Sequence, residues 1–247
     1  MGLRPLDLSR WFEIDDEWTQ QIAIKESLLD TNTSDVVALS AACDDASSEL
    51  LDAVERYTGL RGAREEHPLV AASRLVADDL CIMQRADDGW RLTGAVVCFP
   101  SRWSLSSKLG KSLDEIHGPV PHYDRDLATP THLFFERLSV DRPVWRLNWT
   151  LLDSPELFQP ASLRTSVTGD PRSWWFRVER QTLVRLERSD AIVFTIRTYV
   201  TSLADLVIAR PETKSDLIAA LESASPETQA YKGWVGVAAA LRPWLTA

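Results

Sequence analysis

The chain has 247 residues, and its 27 basic and 36 acidic side chains leave a formal net charge of −9. This acidic balance argues against nucleic-acid binding, because no basic excess is present to neutralise phosphates. Hydrophobic residues make up 45% of the chain, enough for a sizeable core, and no segment approaches the roughly 20 apolar residues of a membrane helix.

The beginning of the chain, about residues 1–75, has the pattern of helices. Two apolar runs recur at helical intervals: Trp18, Ile22, Leu28 and Leu29, then Leu50, Leu51, Val54 and Tyr57. Asp44-Asp45 precede the second run and Gly59 follows it, as is typical of helix ends. We therefore expect an N-terminal helical region with two amphipathic helices.

The middle of the chain alternates between β-prone runs and short helices. Residues 80–83 and 92–99 flank the turn signal Asp87-Asp88-Gly89, which predicts a hairpin. Residues 104–116 predict a helix with Leu105, Leu109 and Leu113 on one face, ended by Gly118-Pro119. Thr129-Pro130 predicts the start of another helix that runs to Leu138.

The last third of the chain contains the clearest strands. Residues 174–186 and 191–200 are separated by four polar residues and predict a second hairpin. Residues 212–223 and 226–244 predict closing helices, within a C-terminal helical region of about 211–247. With no linker or repeat in view, we expect one α+β domain over 1–247 with an antiparallel sheet and flanking helices.

The cysteines and the chain start indicate where the protein resides. Cys43, Cys81 and Cys98 are widely spaced and odd in number, so they support neither a disulfide framework nor a zinc cluster. The first residues are too polar for a secretory signal. We therefore expect a cytoplasmic protein.

Histidines are the main candidates for ligand or acid–base chemistry, because no phosphate loop, zinc motif or serine-hydrolase elbow is present. His117 follows Leu113 by four residues at a predicted helix end, so its ring should face the core. Two interpretations stay open for it: a metal ligand, or a cap of the last helical carbonyls. His67, His122 and His132 are more simply explained as loop or helix-start residues.

Two charged groups also stand out. Arg180 is a lone cation on an otherwise apolar strand face, so it either binds a ligand or forms an ion pair with a core carboxylate. Glu179 lies on the opposite face. The segment 102–108 combines Arg102 and Lys108 with serines at a helix start, which suits a carboxylate or phosphate, although Ser104 can equally be an ordinary N-cap.

Several stretches together resemble one known family. They are Trp90-Arg91-Leu92, Val97-Cys98-Phe99-Pro100-Ser101-Arg102-Trp103, Lys108-Leu109-Gly110-Lys111, Ile116-His117-Gly118-Pro119-Val120-Pro121, Arg146-Leu147-Asn148-Trp149, residues 177–186 and residues 194–199. This set is similar to the α subunit of haem-dependent oxidative N-demethylase, over about residues 3–205. The His-x-Pro-Val-Pro and Glu-Arg-Gln-Thr-Leu blocks are its most specific parts.

The resemblance implies a PAS-like antiparallel sheet with a b-type haem in a pocket between sheet and helices. In the family's founding enzyme the haem subunit oxidises dimethylamine with O₂, using electrons from NADPH that pass through separate flavin and iron–sulfur components. For this chain the resemblance implies an external NAD(P)H-dependent flavin and iron–sulfur reductase, but it does not carry over the substrate. His117 becomes the expected axial ligand, with His122 as the fallback.

Further site residues are suited by their chemistry to the haem that the resemblance implies and to an amine substrate. Arg180 is expected to polarise O₂, and Glu179 to hold an amine substrate as its ammonium partner. Glu179 and Arg180 are neighbours in one strand and so point to opposite faces of the sheet. They can both face the pocket only if a bulge shifts the strand register. The expected cofactor contacts are Arg102, Lys108 and Lys111, which suit the haem propionates, together with Trp103 and Asn148.

The function we expect is a haem-dependent monooxygenase acting on a small amine or another nitrogen-bearing metabolite. Three scattered cysteines cannot hold a four-thiolate cluster, so electrons should come from a separate electron-transfer protein. A homo-oligomer is compatible with the sequence. The alternatives are a non-catalytic haem-PAS gas or redox sensor, which needs only the axial ligand, and a ligand-binding domain that has lost haem.

Overall fold

A computed structural model describes residues 2–160 and 167–246 of the chain, which form an antiparallel sheet with helices on both faces. The strands are β1 (Arg4–Pro5), β2 (Val37–Leu39), β3 (Asp79–Ala86), β4 (Gly89–Val96), β5 (Val144–Leu152), β6 (Trp175–Arg185) and β7 (Ile192–Ser202). They form one seven-stranded sheet in the order β1-β5-β6-β7-β3-β4-β2. The predicted α+β class with an antiparallel sheet is confirmed.

Ten α-helices connect or flank these strands within the described ranges. They are α1 (Trp18–Thr31), α2 (Thr33–Val36), α3 (Asp44–Thr58), α4 (Pro68–Ser73), α5 (Leu113–His117), α6 (Ala128–Arg137), α7 (Leu203–Ala209), α8 (Thr213–Ser223), α9 (Pro226–Lys232) and α10 (Val237–Thr246). None of the helices in these ranges is long and apolar enough to cross a membrane.

The two predicted N-terminal helices are confirmed as α1 and α3. Asp44 and Asp45 occupy the first turn of α3, where carboxylates interact favourably with the helix dipole. Gly59 ends the helix with a φ of 72°, a left-handed conformation that glycine adopts without a steric penalty. Strand β2, between these helices, was not expected, because three residues give too little periodicity to recognise.

The predicted hairpins are confirmed as β3–β4 and β6–β7. Strands β6 and β7 pair along their whole length in regular register, from Trp175 opposite Ser202 to Arg185 opposite Ile192. The register of β3 and β4 shifts once, between Ile82 and Met83. Because the pairing of β6 with β7 is regular, β6 contains no bulge that would turn both Glu179 and Arg180 to one face of the sheet.

The prediction of one continuous helix over residues 104–116 is wrong. A 3₁₀ turn covers only Leu105–Ser107, and the α-helix begins again at Leu113. Between them the chain turns at Gly110, with a φ of 75°, and pairs with β4 through Leu92. Bonding to the sheet outweighs the four-residue leucine spacing, so Leu105 and Leu113 are buried on separate elements.

The closing helix expected over residues 226–244 also divides in two. Gly233 and Gly236 have φ values of 68° and 77°, and this left-handed backbone ends α9 before α10 begins. The helix expected over 212–223 is confirmed as α8.

Side chains alternate between two sheet faces, which we name by the helices that cover them. The α3 face carries Leu80, Ile82, Val184 and Val193 and packs against Leu50 and other residues of the N-terminal helices. The α6 face carries Cys81, Met83, Leu183 and Ile192 and packs against Leu113, Phe135 and Leu138. A third apolar cluster joins α7, α8 and α10 to the end of β5. The parity of a strand residue therefore decides which helices it meets.

Candidate functional site

His117 is the last residue of α5, a short helix fixed at its beginning. Ser112 accepts a hydrogen bond from the amide of Glu115, and the Glu115 carboxylate accepts one from the amide of Ser112. This reciprocal cap holds a helix of only five residues in place. Leu113 anchors the same helix in the core of the α6 face.

The His117 imidazole has a defined tautomer. Its Nδ1 lies 2.8 Å from the carbonyl oxygen of Leu113. A carbonyl can only accept, so Nδ1 must carry the hydrogen and donate. The lone pair of the neutral ring is then on Nε2, which forms no hydrogen bond with any described residue. A metal-binding histidine has this arrangement, with one nitrogen donating to a carbonyl and the other available.

The surroundings of His117 favour the neutral ring. Burial lowers the pKa of His117 from its usual value, and the positive charges of Arg146 and Lys108 lower it further, while the bond to Leu113 opposes them. The ring stacks on Tyr123, with centroids 5.0 Å apart and planes 12° from parallel. A neutral imidazole held between a helix end and an aromatic ring is suited to be a ligand rather than a cation.

Glu179 and Asn148 lie opposite each other on β6 and β5, on the same α6 face. Asn148 Nδ2 donates to Glu179 Oε2 at 3.1 Å, and Gln181 Nε2 donates to the same oxygen at 3.0 Å. The buried Arg177 guanidinium lies 3.4 Å from Oε1. Sequence reasoning selected Glu179 and Asn148 separately, and the sheet register brings them together.

Two further cations border this cluster. Arg146 Nε donates to Gln181 Oε1 at 2.8 Å, and Lys232 Nζ donates to Asn148 Oδ1 at 3.1 Å and to the carbonyl of Trp149 at 2.9 Å. Burial lowers the pKa of both groups, while the Glu179 charge raises it. The positive charge of Arg146 also lowers the pKa of His117, so the histidine and the Glu179 cluster are electrostatically coupled.

Lys232 was missed by sequence reasoning, and Arg146 was noted only as part of a matched stretch. The signal for Arg146 was its spacing of two from Asn148, which puts both on one strand face. No local signal existed for Lys232, since it lies 84 residues after Asn148 in the chain and reaches β5 from helix α9.

The basic candidates from the segment 102–111 do not converge. Arg102, with a φ of 60°, forms an ion pair with Asp153, and Lys111 Nζ lies 2.9 Å from Glu115 Oε1. Lys108 Nζ donates to the carbonyl of Ile116 at 3.1 Å, beside His117. Trp103 is half-buried against the core of the α6 face. Of these candidates, Lys108 is the one whose charge acts on His117.

Arg180 lies on the opposite side of the sheet from His117. Its guanidinium donates to the carbonyls of Trp11 and Arg10 at 3.0 and 2.6 Å, and its Nε lies 3.3 Å from Glu13. These contacts are on the α3 face. Of the two interpretations of Arg180, the structure shows the ion pair, and it does not bring Arg180 to the face that carries His117 and Glu179.

His122 is exposed and distinct from this cluster. It has a φ of 59°, and its Nε2 lies 3.6 Å from a Glu227 carboxylate oxygen, at the start of a π-helical turn over residues 123–127. His132 pairs with Asp114 at 2.8 Å near the surface. The fallback residue therefore lies beside a carboxylate at the protein surface, whereas His117 is the more enclosed ring.

Cys43, Asp44 and His67 form a group of potential metal ligands within the described residues. His67 Nδ1 accepts a hydrogen bond from the amide of Leu69, so its hydrogen is on Nε2, which faces Asp44 at 3.3 Å. A neutral ring then has no lone pair left for a metal at Nε2. Helix capping explains this group better than metal binding does.

A comparison with protein families gives one match that covers almost the whole chain. The model of a family described as "Haem-dependent oxidative N-demethylase, alpha subunit-like" matches residues 2–61 and 55–242. The matched ranges include all of β1 to β7 and each residue of the His117 and Glu179 clusters.

Proposed function

Because the chain belongs to the haem-dependent oxidative N-demethylase, alpha subunit-like family, we propose that it is a haem-dependent monooxygenase that oxidises a small amine. The family description supports haem dependence and oxidative N-demethylation as the general kind of activity. The b-type haem, the substrate and the electron source are the finer parts of the proposal.

The observation that carries the proposal is the state of His117. Its Nδ1 hydrogen is fixed by the Leu113 carbonyl, burial lowers the pKa of the ring and so favours its neutral form, and Nε2 is left without a hydrogen-bond partner among the described residues. An axial haem ligand has these properties. We therefore propose His117, rather than His122, as the residue that holds the iron.

The fold is compatible with this cofactor. Across the sheet the five long strands lie in the order β4-β3-β7-β6-β5. Numbered by their positions along the chain, these are the second, first, fifth, fourth and third long strands. This order supports the PAS-like sheet that the sequence resemblance implies. No Cys-x-x-Cys-His motif is present for covalent attachment, which supports a b-type haem held by contacts alone. A pocket between the α6 face and α5 is the place we propose for it.

The chain's own residues have separable roles in this proposal. When bound, the haem supplies the redox chemistry of O₂ reduction and amine oxidation. Lys108, beside His117, and Trp103, on the α6 face, are the proposed cofactor contacts, with Asn148 and Glu179 on the sheet opposite. Glu179 holds the amide of Asn148 in a fixed orientation. Arg102 and Lys111 already face carboxylates, which makes them weaker candidates for propionates.

Electrons are proposed to come from a separate NAD(P)H-dependent flavin and iron–sulfur protein. The described cysteines are buried, and burial raises the pKa of Cys98 to about 12. Three cysteines are too few for a cluster held by four thiolates, and burial further disfavours the thiolate form of Cys98. This property supports a partner that delivers electrons to the haem.

Turnover tests the proposal. The purified haem-loaded protein is supplied with a surrogate flavin and iron–sulfur reductase, NADPH, O₂ and dimethylamine, and formaldehyde release is measured. We expect formaldehyde in proportion to NADPH consumed, with larger N-methylated amines as comparison substrates. A protein that binds haem and consumes no NADPH with any amine contradicts the catalytic assignment and favours a gas or redox sensor.

A further inference from the structure

The Glu179 cluster (Glu179, Asn148, Gln181 and Arg177), taken together with the bordering cations Arg146 and Lys232, carries more positive than negative charge. Arg146 and Lys232 donate hydrogen bonds to Gln181 and Asn148, the two residues whose amides donate to Glu179 Oε2. The Glu179 charge acts on both cations, and Arg177 Nε lies 3.4 Å from Glu179 Oε1. Asp79 is a second carboxylate whose charge acts on Arg177, whereas Glu179 is the carboxylate whose charge acts on Arg146 and Lys232. The Glu179 carboxylate is therefore shared by Arg177, Arg146 and Lys232, and the positive charges of these three residues are not balanced by the carboxylates around them.

The Arg146 side chain has unused donors. Its Nε is bonded to Gln181, whereas Nη1 and Nη2 form no hydrogen bond with the described residues. A guanidinium presents these two groups as a planar fork that matches the two oxygens of a carboxylate. Because Arg146 is only partly exposed, an anion in this fork would be shielded from water.

Lys232 is placed to support the same ligand. Its ammonium donates to two uncharged oxygens, those of Asn148 and Trp149, so neither of these partners neutralises its positive charge. The ring of Trp234 lies 4.9 Å from Nζ and stacks on Trp149 with centroids 4.6 Å apart. These rings cover the lysine and exclude water from one side of it, which strengthens its attraction for an anion.

Glu179 is poorly suited to hold a second ammonium group. Oε2 already accepts two hydrogen bonds, Oε1 faces Arg177, and two more cations act on the carboxylate. A further cation at this position would meet net repulsion. The role expected for Glu179 as a partner of a free amine therefore does not agree with its surroundings.

We propose that Arg146, flanked by Lys232 and Asn148, is the centre of a carboxylate-binding site on the α6 face. This proposal rests on the proposed function for its choice of ligands: the carboxylate is either a propionate of the haem or part of an N-methylated amino-acid substrate. The two sources share one chemistry, and binding measurements separate them.

The first experiment compares haemin with haemin dimethyl ester, which lacks free carboxylates. Each is titrated into the apoprotein and followed by Soret absorbance, for the wild type, Arg146→Gln, Lys232→Gln and the exposed control Arg142→Gln. If propionates are the source, Arg146→Gln weakens haemin binding about 10- to 100-fold and leaves the ester unaffected. The control should match the wild type for both ligands.

The second experiment compares sarcosine with dimethylamine, which differ by a carboxylate, by isothermal titration calorimetry on the haem-loaded protein. If the substrate is the source, Arg146→Gln weakens sarcosine binding about 10- to 100-fold at unchanged haem uptake. Glu179→Gln should tighten carboxylate binding, because it removes the competing negative charge. Weaker binding in Glu179→Gln would contradict the proposal.

The two hypotheses fail in different ways. If the wild type takes up neither haemin nor its ester, the proposed function fails, and sarcosine titrated into the apoprotein still tests the carboxylate site. If haem binds and Arg146→Gln and Lys232→Gln leave haemin and sarcosine affinities as in the wild type, the carboxylate site is refuted while the haem assignment stands.

Discussion

Replacing Arg180 with methionine removes a buried cation that holds the N-terminal segment against the α3 face. The guanidinium donates to the carbonyls of Trp11 and Arg10 and lies 3.3 Å from Glu13. A hydrogen bond from a charged group contributes about 1.5–3 kcal/mol. The Glu13 side chain is 24% exposed, so the ion pair contributes less than the two carbonyl bonds. Since methionine retains most of the buried volume, we expect the free energy of unfolding to fall by about 3 kcal/mol.

Chemical denaturation and limited proteolysis check this expectation. Arg180→Met should shift the denaturation midpoint and expose residues 8–16 to cleavage, while the haem spectrum of the folded protein stays as in the wild type. Arg10→Gln is the matched control, because Arg10 is 76% exposed and only approaches the same Glu13 at 4.0 Å. Its effect should stay within about 0.5 kcal/mol. An Arg180→Met protein of wild-type stability with altered O₂ reactivity would refute the structural role.

Three further predictions concern the interior. Burial raises the pKa of Asp78 to about 7, so the folded protein keeps a proton that the unfolded chain releases above about pH 4. This proton stabilises the folded state at low pH, and the stabilisation is lost as the pH rises through about 7. Asn does not titrate, so the free energy of unfolding of Asp78→Asn should rise relative to that of the wild type by about 2–3 kcal/mol between pH 5 and pH 8. Parallel curves would contradict this, and the exposed Asp87→Asn is the control. Gly94→Ala should cost about 1–3 kcal/mol in thermal or chemical unfolding, because its Cβ would lie 2.6 Å from Cys43 Sγ. Cys98, fully buried with a raised pKa, should react with a thiol reagent only on unfolding, and rapid labelling of the native protein would be inconsistent with its burial.

Local patterns predicted most of the long elements of this fold, but they did not predict strand β5 (Val144–Leu152). The two hairpins and α1, α3, α6 and α8 follow from alternation, helical spacing and end signals. The helix expected over residues 104–116 failed because backbone bonds from Gly110 and Lys111 to Leu92 draw the chain onto β4. Such long-range bonding leaves no trace in the spacing of Leu105, Leu109 and Leu113.

The site was only partly predictable for the same reason. Strand alternation correctly separates Glu179 from Arg180, but it does not say which face receives His117. The four-residue spacing from Leu105 to His117 predicted that His117 faces the core. Leu105 and Leu113 turned out to lie on different elements, but Leu113 and His117 both belong to α5, so this part of the spacing holds. Lys232 could not be found from the sequence, because its contact with Asn148 depends on how α9 packs beside β5.

The central claim is that Nε2 of His117 binds the haem iron, and the absorption spectrum of a His117→Gly variant tests it most directly. Wild type and variant are loaded with haem, and spectra are recorded before and after imidazole is added, with His122→Gly as the matched control. We expect His117→Gly to lose the wild-type Soret band and imidazole to restore it, while His122→Gly keeps the wild-type spectrum throughout. A wild-type spectrum in His117→Gly without imidazole would contradict the assignment.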